Sequence, residues 1–172
     1  EETEKVGEAV KSVKVSIAYE NGEQQVLVNG KNVTSRLRAE AVGNMASRVS
    51  AIPAVRAALL DLQRDLAKAH DVLMDGRGIG TNVLPEAELK IYLTASVETR
   101  AERRYKELQE KGEKKDFSAI KEEIEKRDYQ DMTRAIAPLK QAEDAVYLDT
   151  SHMNIDEVVE VIKKLYRERK EA

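Results

Sequence analysis

With 172 residues the chain has the size of one domain with room for a small insertion, and 41% hydrophobic residues give it a core. A net charge of -3 argues against a bulk electrostatic grip on nucleic acid, and a 4% aromatic content without Trp argues against stacking platforms for single strands. The absence of Cys excludes thiol catalysis, thiolate metal sites and disulfides, and no run approaches the roughly 18 apolar residues of a membrane span.

Residues 3–12 are highly charged and weakly helical, and the stretch Glu1–Val6 has neither the basic nor the apolar part of a signal peptide. The composition suits a reducing cytoplasm, which is the expected location. From Val13 to Tyr19 the pattern alternates with period two, as in a half-buried strand. Asn21-Gly22 is a hairpin turn, 25–28 is the return strand, and Asn29-Gly30 turns again, so a local antiparallel meander is expected. From Arg38 the period becomes helical. Val42, Met45, Ala46 and Val49 share one face, and Pro53 opens a further helix whose face is Val55, Leu59, Leu62 and Leu66.

The run Val72-Leu73-Met74 stops at Asp75-Gly76-Arg77-Gly78 and reads as a fully buried strand. A second strand is expected at 89–93. Ser96 then caps a helix with Glu98 in its first turn and Val97, Ala101, Tyr105 and Leu108 on its inner face. A polar break around Gly112 separates it from a helix over about 118–134. A third short strand at 145–148 precedes an amphipathic helix carrying Ile155, Val158, Val159, Ile162, Leu165 and Tyr166. Strands alternating with helices in this half imply βαβ units and a parallel sheet.

Two features carry chemistry. In an open α/β sheet, ligands bind beyond the carboxyl ends of the strands. There Asp75, Arg77 and the glycines 76, 78 and 80 can hold a charged, phosphate-bearing small molecule, or simply make a solvated turn. The second feature is the stripe at 120, 124, 127, 131 and 134, which reads Ile, Ile, Arg, Asp, Arg along one helix face. It starts as a core face and ends in alternating charge. Arginine forks suit phosphate oxygens, and an aspartate between two of them can orient them or accept from a sugar hydroxyl. The same spacing also fits a plain i,i+4 salt-bridge ladder. His70 and His152 are isolated, and no metal site is expected.

Together, VLMDGRGIGTNVLPEAELKIYLTASVETRAERRYKELQEKG and EKRDYQDMTRAIAPLKQAEDAVYLDTS resemble the back two-thirds of a bacterial cytidylate kinase. The earlier NMASRVSAIPAVRAALLDLQR is similar to that family's nucleotide-selecting helices, and the meander resembles its antiparallel insertion. The resemblance implies an α/β fold, a P-loop-kinase-like parallel sheet with flanking helices plus the small antiparallel insertion. Residues 1–69 would form the nucleoside-monophosphate-binding region, with the insertion at about 13–35. Residues 70–172 would form the core α/β region, with a lid at about 104–126.

The implied activity is ATP-dependent phosphoryl transfer to CMP or dCMP, with ATP and Mg2+ as cofactors, by a monomer whose partners are nucleotides rather than nucleic acid or membrane. Ser47 and Arg56 would hydrogen-bond the cytosine edge, and Arg77 and Arg134 would grip the acceptor phosphate. Arg127 and Asp131 would hold the ribose hydroxyls. Asp75 would orient arginines or contribute to the metal shell, and Arg103 and Arg104 would belong to a lid over ATP.

Two positions depart from the family pattern. Gly78 stands where the family usually carries a second acidic residue, which puts cytosine selectivity in doubt. Nothing matches Gly-x-x-x-x-Gly-Lys-Ser/Thr, the loop that cradles ATP phosphates. The resemblance therefore implies that Glu1 lies partway into a kinase, after that loop and its central strand, and that the 172 residues alone are inactive. The alternatives are a non-catalytic nucleotide-binding or regulatory module and a plain structural domain.

Overall fold

The structure, a computed structural model, describes residues 2–37, 39–50, 52–133, 135 and 137–171. It divides into two compact units, Glu1–Val72 and Leu73–Ala172.

The first unit holds helix α1 (Glu2–Lys11), strands β1 (Val15–Glu20), β2 (Glu23–Val28) and β3 (Lys31–Asn32), and helices α2 (Glu40–Val49) and α3 (Pro53–Ala69). The strands form the expected meander in the order β1-β2-β3, with Ile17 opposite Val26. Its turns are set by local chemistry. Asn21 and Gly22 take φ of 54° and 80°, and Asn29 and Gly30 take 49° and 78°. Asparagine and glycine tolerate that left-handed region, which matches the twist of a hairpin. Asn29 also closes its turn through Oδ1, which accepts from the Lys14 N–H at 2.8 Å. Helices α1 and α3 pack closely at Gly7, where a Cβ would lie 3.4 Å from the Ala54 methyl.

The second unit holds β4 (Ile91–Thr94), α4 (Val97–Glu110), α5 (Phe117–Thr133), β5 (Val146–Asp149) and α6 (Ile155–Glu171). β4 and β5 pair in parallel, Ile91 with Val146 through Thr94 with Asp149. The chain between them forms the α4–α5 hairpin. Its core is Ala101, Leu108 and Ile120, ringed by Tyr105, Phe117 and Ile124. The Tyr105 and Phe117 rings meet edge to face at 6.0 Å. Ser96 caps α4 as expected, accepting from the Thr99 N–H at 3.1 Å. Asp116 does the same for α5 through the Ser118 N–H at 3.1 Å.

Beyond the sheet's carboxyl end, Thr150 is buried and donates from Oγ1 to the Thr94 carbonyl at 2.9 Å. No described helix is long and apolar enough to cross a membrane.

One expected strand does not form. Residues 72–74 carry no ladder, and Leu73 is 90% exposed. A strand exists through its hydrogen-bonded neighbour, and among the described residues no strand pairs with this run. The closing helix α6 is also less covered than its pattern suggests. Val158, Ile162 and Leu165 are half-buried, while Ile155, Val159 and Tyr166 are exposed.

Candidate functional site

The candidate site is built on the turn after residue 74. Gly76 adopts φ of +155°, and a Cβ there would lie 3.1 Å from Ile79 Cγ1, so glycine lets the chain reverse between Asp75 and Arg77. A π-helical turn, Ile79–Val83, follows, with the Gly78 carbonyl accepting from Asn82 and Val83 at 3.0 and 3.2 Å. Such turns are rare and recur at functional sites.

From this turn Arg77 reaches α5 and pairs through Nε with the Asp131 carboxylate; their side chains are 43% and 16% exposed. The end of α5 is tied back as well, since the Leu139 N–H donates to the Asp131 carbonyl at 2.8 Å. The two chemically suggestive elements of the sequence therefore meet at one ion pair. A half-exposed arginine held by a less exposed carboxylate keeps a fixed direction and can still meet an anion from solvent. Asp75 is exposed in the same turn.

Along α5 the stripe behaves differently from its expected course. Ile120 is buried and Ile124 half-buried, but Arg127 is exposed, and the half-buried residue below Ile124 is Asp128. Asp128 accepts from both terminal nitrogens of Arg100, Nη1 at 2.9 Å and Nη2 at 2.6 Å. Arg100 Nε donates to the Ala95 carbonyl at 2.9 Å. Sequence reasoning missed both residues. The signal was present: a helix of 3.6 residues per turn continues from 124 to 128 as readily as to 127.

The remaining expected residues are dispersed. Arg103 of α4 donates to the Thr150 carbonyl at 2.6 Å and to the Met153 carbonyl at 3.2 Å, which braces the chain after β5. Arg104 pairs with Glu107 at 2.8 Å. Lys111 and Arg104 hold the Glu107 carboxyl down to about 2 from its usual 4.5, through hydrogen bonds led by Lys111. Hydrogen bonds from Ser151 hold the Asp149 carboxyl below its ordinary range at the end of β5.

In the first unit, Arg56 of α3 donates to the Ser50 carbonyl at 3.3 Å, at the C-terminal end of α2. Ser47 lies on α2, but its side chain falls outside the described residues, and Arg134 falls outside them altogether.

Comparison with known proteins shows the family of the chain. A family model described as cytidylate kinase matches residues 1–168. A cytidylate kinase of Lactobacillus gasseri is 48% identical over 155 residues, covering 90% of this chain and 67% of that protein. One from Caldicellulosiruptor saccharolyticus is 47% identical over 165 residues, covering 96% and 73%. One from Streptococcus pneumoniae is 54% identical over 144 residues, covering 84% and 65%. The chain spans about two-thirds of the length of the curated relatives it matches.

Proposed function

The chain belongs to the cytidylate kinase family, and we propose that it serves ATP-dependent phosphoryl transfer to CMP or dCMP, giving CDP or dCDP. The observation that supports this most is the Arg77–Asp131 pair, which joins the 75–78 turn to the last turn of α5. Phosphoryl transfer needs little covalent chemistry from the protein; it needs positioning and stabilised charge. On this reading Arg77 and Arg134 hold the acceptor phosphate, and Arg127 and Asp131 hold the ribose hydroxyls. Ser47 and Arg56 meet the cytosine edge, and Arg103 and Arg104 serve the lid over ATP.

Mg2+ fits as an ion shared with substrate. The described residues hold no cluster of three or more His, Cys, Asp or Glu, and Mg2+ is commonly held by one or two carboxylates plus substrate phosphates. Asp75, exposed beside Arg77, would supply the carboxylate. When bound, the ion neutralises charge developing on the phosphoryl oxygens. The protein is read as a monomer working in the cytoplasm, with nucleotides as its partners.

The 172 residues contain no Gly-x-x-x-x-Gly-Lys-Ser/Thr, so the ATP phosphates would be cradled by none of them, and alone they would turn over little or no CMP. Two measurements on the 172-residue chain test this reading. Calorimetric titration should show saturable CMP binding, and a coupled ADP-release assay should show almost no turnover. Absence of CMP binding would overturn the acceptor site. Turnover at rates of roughly 1–100 per second, typical of kinases, would overturn the assignment of the ATP cradle.

A further inference from the structure

We propose that Arg100 and Asp128 act as a positioning pair that fixes the C-terminal end of α5, and with it the direction in which Arg127 and Asp131 face the acceptor nucleotide. The inference rests on the acceptor-site reading above. It starts from the side chains that join α4 to α5. The buried cluster of Ala101, Leu108 and Ile120 secures the hairpin along α4, with Ala101 next to Arg100, and Ile120 is the buried residue of α5. Past Ile124 the apolar residues of α5, Tyr129 and Met132, are exposed. From α5 itself, apolar burial beyond Ile124 therefore adds little to the hold on the helix end that carries Arg127 and Asp131.

A polar clamp adds to the hold there. The Arg100 guanidinium meets the Asp128 carboxylate fork to fork, at 2.9 and 2.6 Å. Its Nε donates at 2.9 Å to the carbonyl of Ala95, a buried residue next to the end of β4. One planar group thus joins the last turns of α5 to the carboxyl end of the sheet. Both side chains are about one-third exposed, so solvent screens the pair only in part. The geometry is more specific than a surface ion pair, because a lysine could not make two parallel bonds to the carboxylate and a third to the carbonyl.

Asp128 lies one residue after Arg127 and three before Asp131, on the same stretch of helix. Two arginines from different segments therefore hold carboxylates one turn apart: Arg100 holds Asp128, and Arg77 holds Asp131. Releasing the first lets the helix end turn and changes what the second presents. Neither Arg100 nor Asp128 is assigned any contact with nucleotide, so any effect on binding must travel through this placement.

Arg100→Lys, which keeps the charge and loses the fork, and Asp128→Asn, which keeps the shape and loses the charge, test the pair. Each variant is checked for folding by circular dichroism and titrated with CMP and with cytidine. The Arg77–Asp131 coupling is then measured by a double-mutant cycle on urea unfolding, with and without Arg100→Lys. Both variants should weaken CMP by about tenfold or more, as misplacement of charged contacts does, and cytidine by less than threefold. The double variant should be no worse than the weaker single, and the Arg77–Asp131 coupling should fall by at least half.

Folded variants that keep CMP affinity within threefold of the parent would overturn the proposal. So would loss of fold in both, which would mark the pair as purely structural. If the parent chain binds no CMP, the acceptor reading fails on its own. The unfolding cycle then still decides the geometry: persistent coupling between the two pairs supports the clamp, and its absence overturns it.

Discussion

Arg77→Ala is the substitution that most directly probes the candidate site. In the structure the Arg77 Nε pairs with Asp131, and the guanidinium carries further donors on its two terminal nitrogens for an incoming phosphate. A hydrogen bond between charged partners contributes about 1.5–3 kcal/mol. At 43% exposure the Arg77 side chain is partly screened by solvent, which moves the figure toward the lower end. The variant also removes the Arg77 cation from beside the Asp131 carboxylate, which moves it back up. The net expectation is about 2 kcal/mol, or about 30-fold in the dissociation constant. Isothermal titration with CMP should show that loss, whereas cytidine, which lacks the phosphate, should change by less than threefold. Raising salt from 50 to 300 mM should weaken CMP binding to the parent more than to the variant. A CMP change under threefold, or an equal loss for cytidine, would refute the assignment of Arg77 to a phosphate.

Gly78→Asp should raise the preference for CMP over UMP by about tenfold in competition titrations, because a buried acceptor for an exocyclic amine discriminates strongly. The backbone accommodates a side chain there, with φ of −152°, and a Cβ would lie 3.3 Å from the Asn82 side-chain nitrogen, which must shift by a few tenths of an ångström. An unchanged ratio would show that the base is read elsewhere. Ile120→Ala removes most of the side chain from a site that is 2% exposed and should lower stability by about 3 kcal/mol in urea unfolding. A loss under 1 kcal/mol would mean that the hairpin cluster collapses around the gap.

Glu107 has its carboxyl held at about 2 in the folded chain against an ordinary 4.5. A depressed folded value gives a stabilising contribution that is present above pH 4.5 and is lost as pH falls through about 2. The difference in melting temperature between the parent and Glu107→Gln should therefore narrow over that window. A difference that stays constant from pH 6 to pH 2 would contradict the pairing with Lys111 and Arg104.

How much of this was legible in the chain depended on the range of the interaction concerned. Turns, caps and periodicity act over a few residues. Asn21-Gly22 and Asn29-Gly30 accordingly make the turns their dihedral preferences dictate, Ser96 caps α4, and Ile120 with Ile124 marks the inner side of α5. The parallel pairing of β4 with β5 was implied by alternating strands and helices, although the observed strands are shorter or shifted by a residue or two.

By itself, then, the sequence determined the local elements, the family and the residue types available for phosphate chemistry. Only the tertiary structure decided three things. Residues 72–74 remain outside the ladder, because a strand is a property of two segments and apolar composition describes one. Asp128 rather than Arg127 turns inward, because helical periodicity allows both and the choice falls to the residue that Arg100 can reach. Arg77 meets Asp131 because folding brings distant segments of the second unit together, and a pairing between side chains far apart along the chain leaves no periodic trace in either of them.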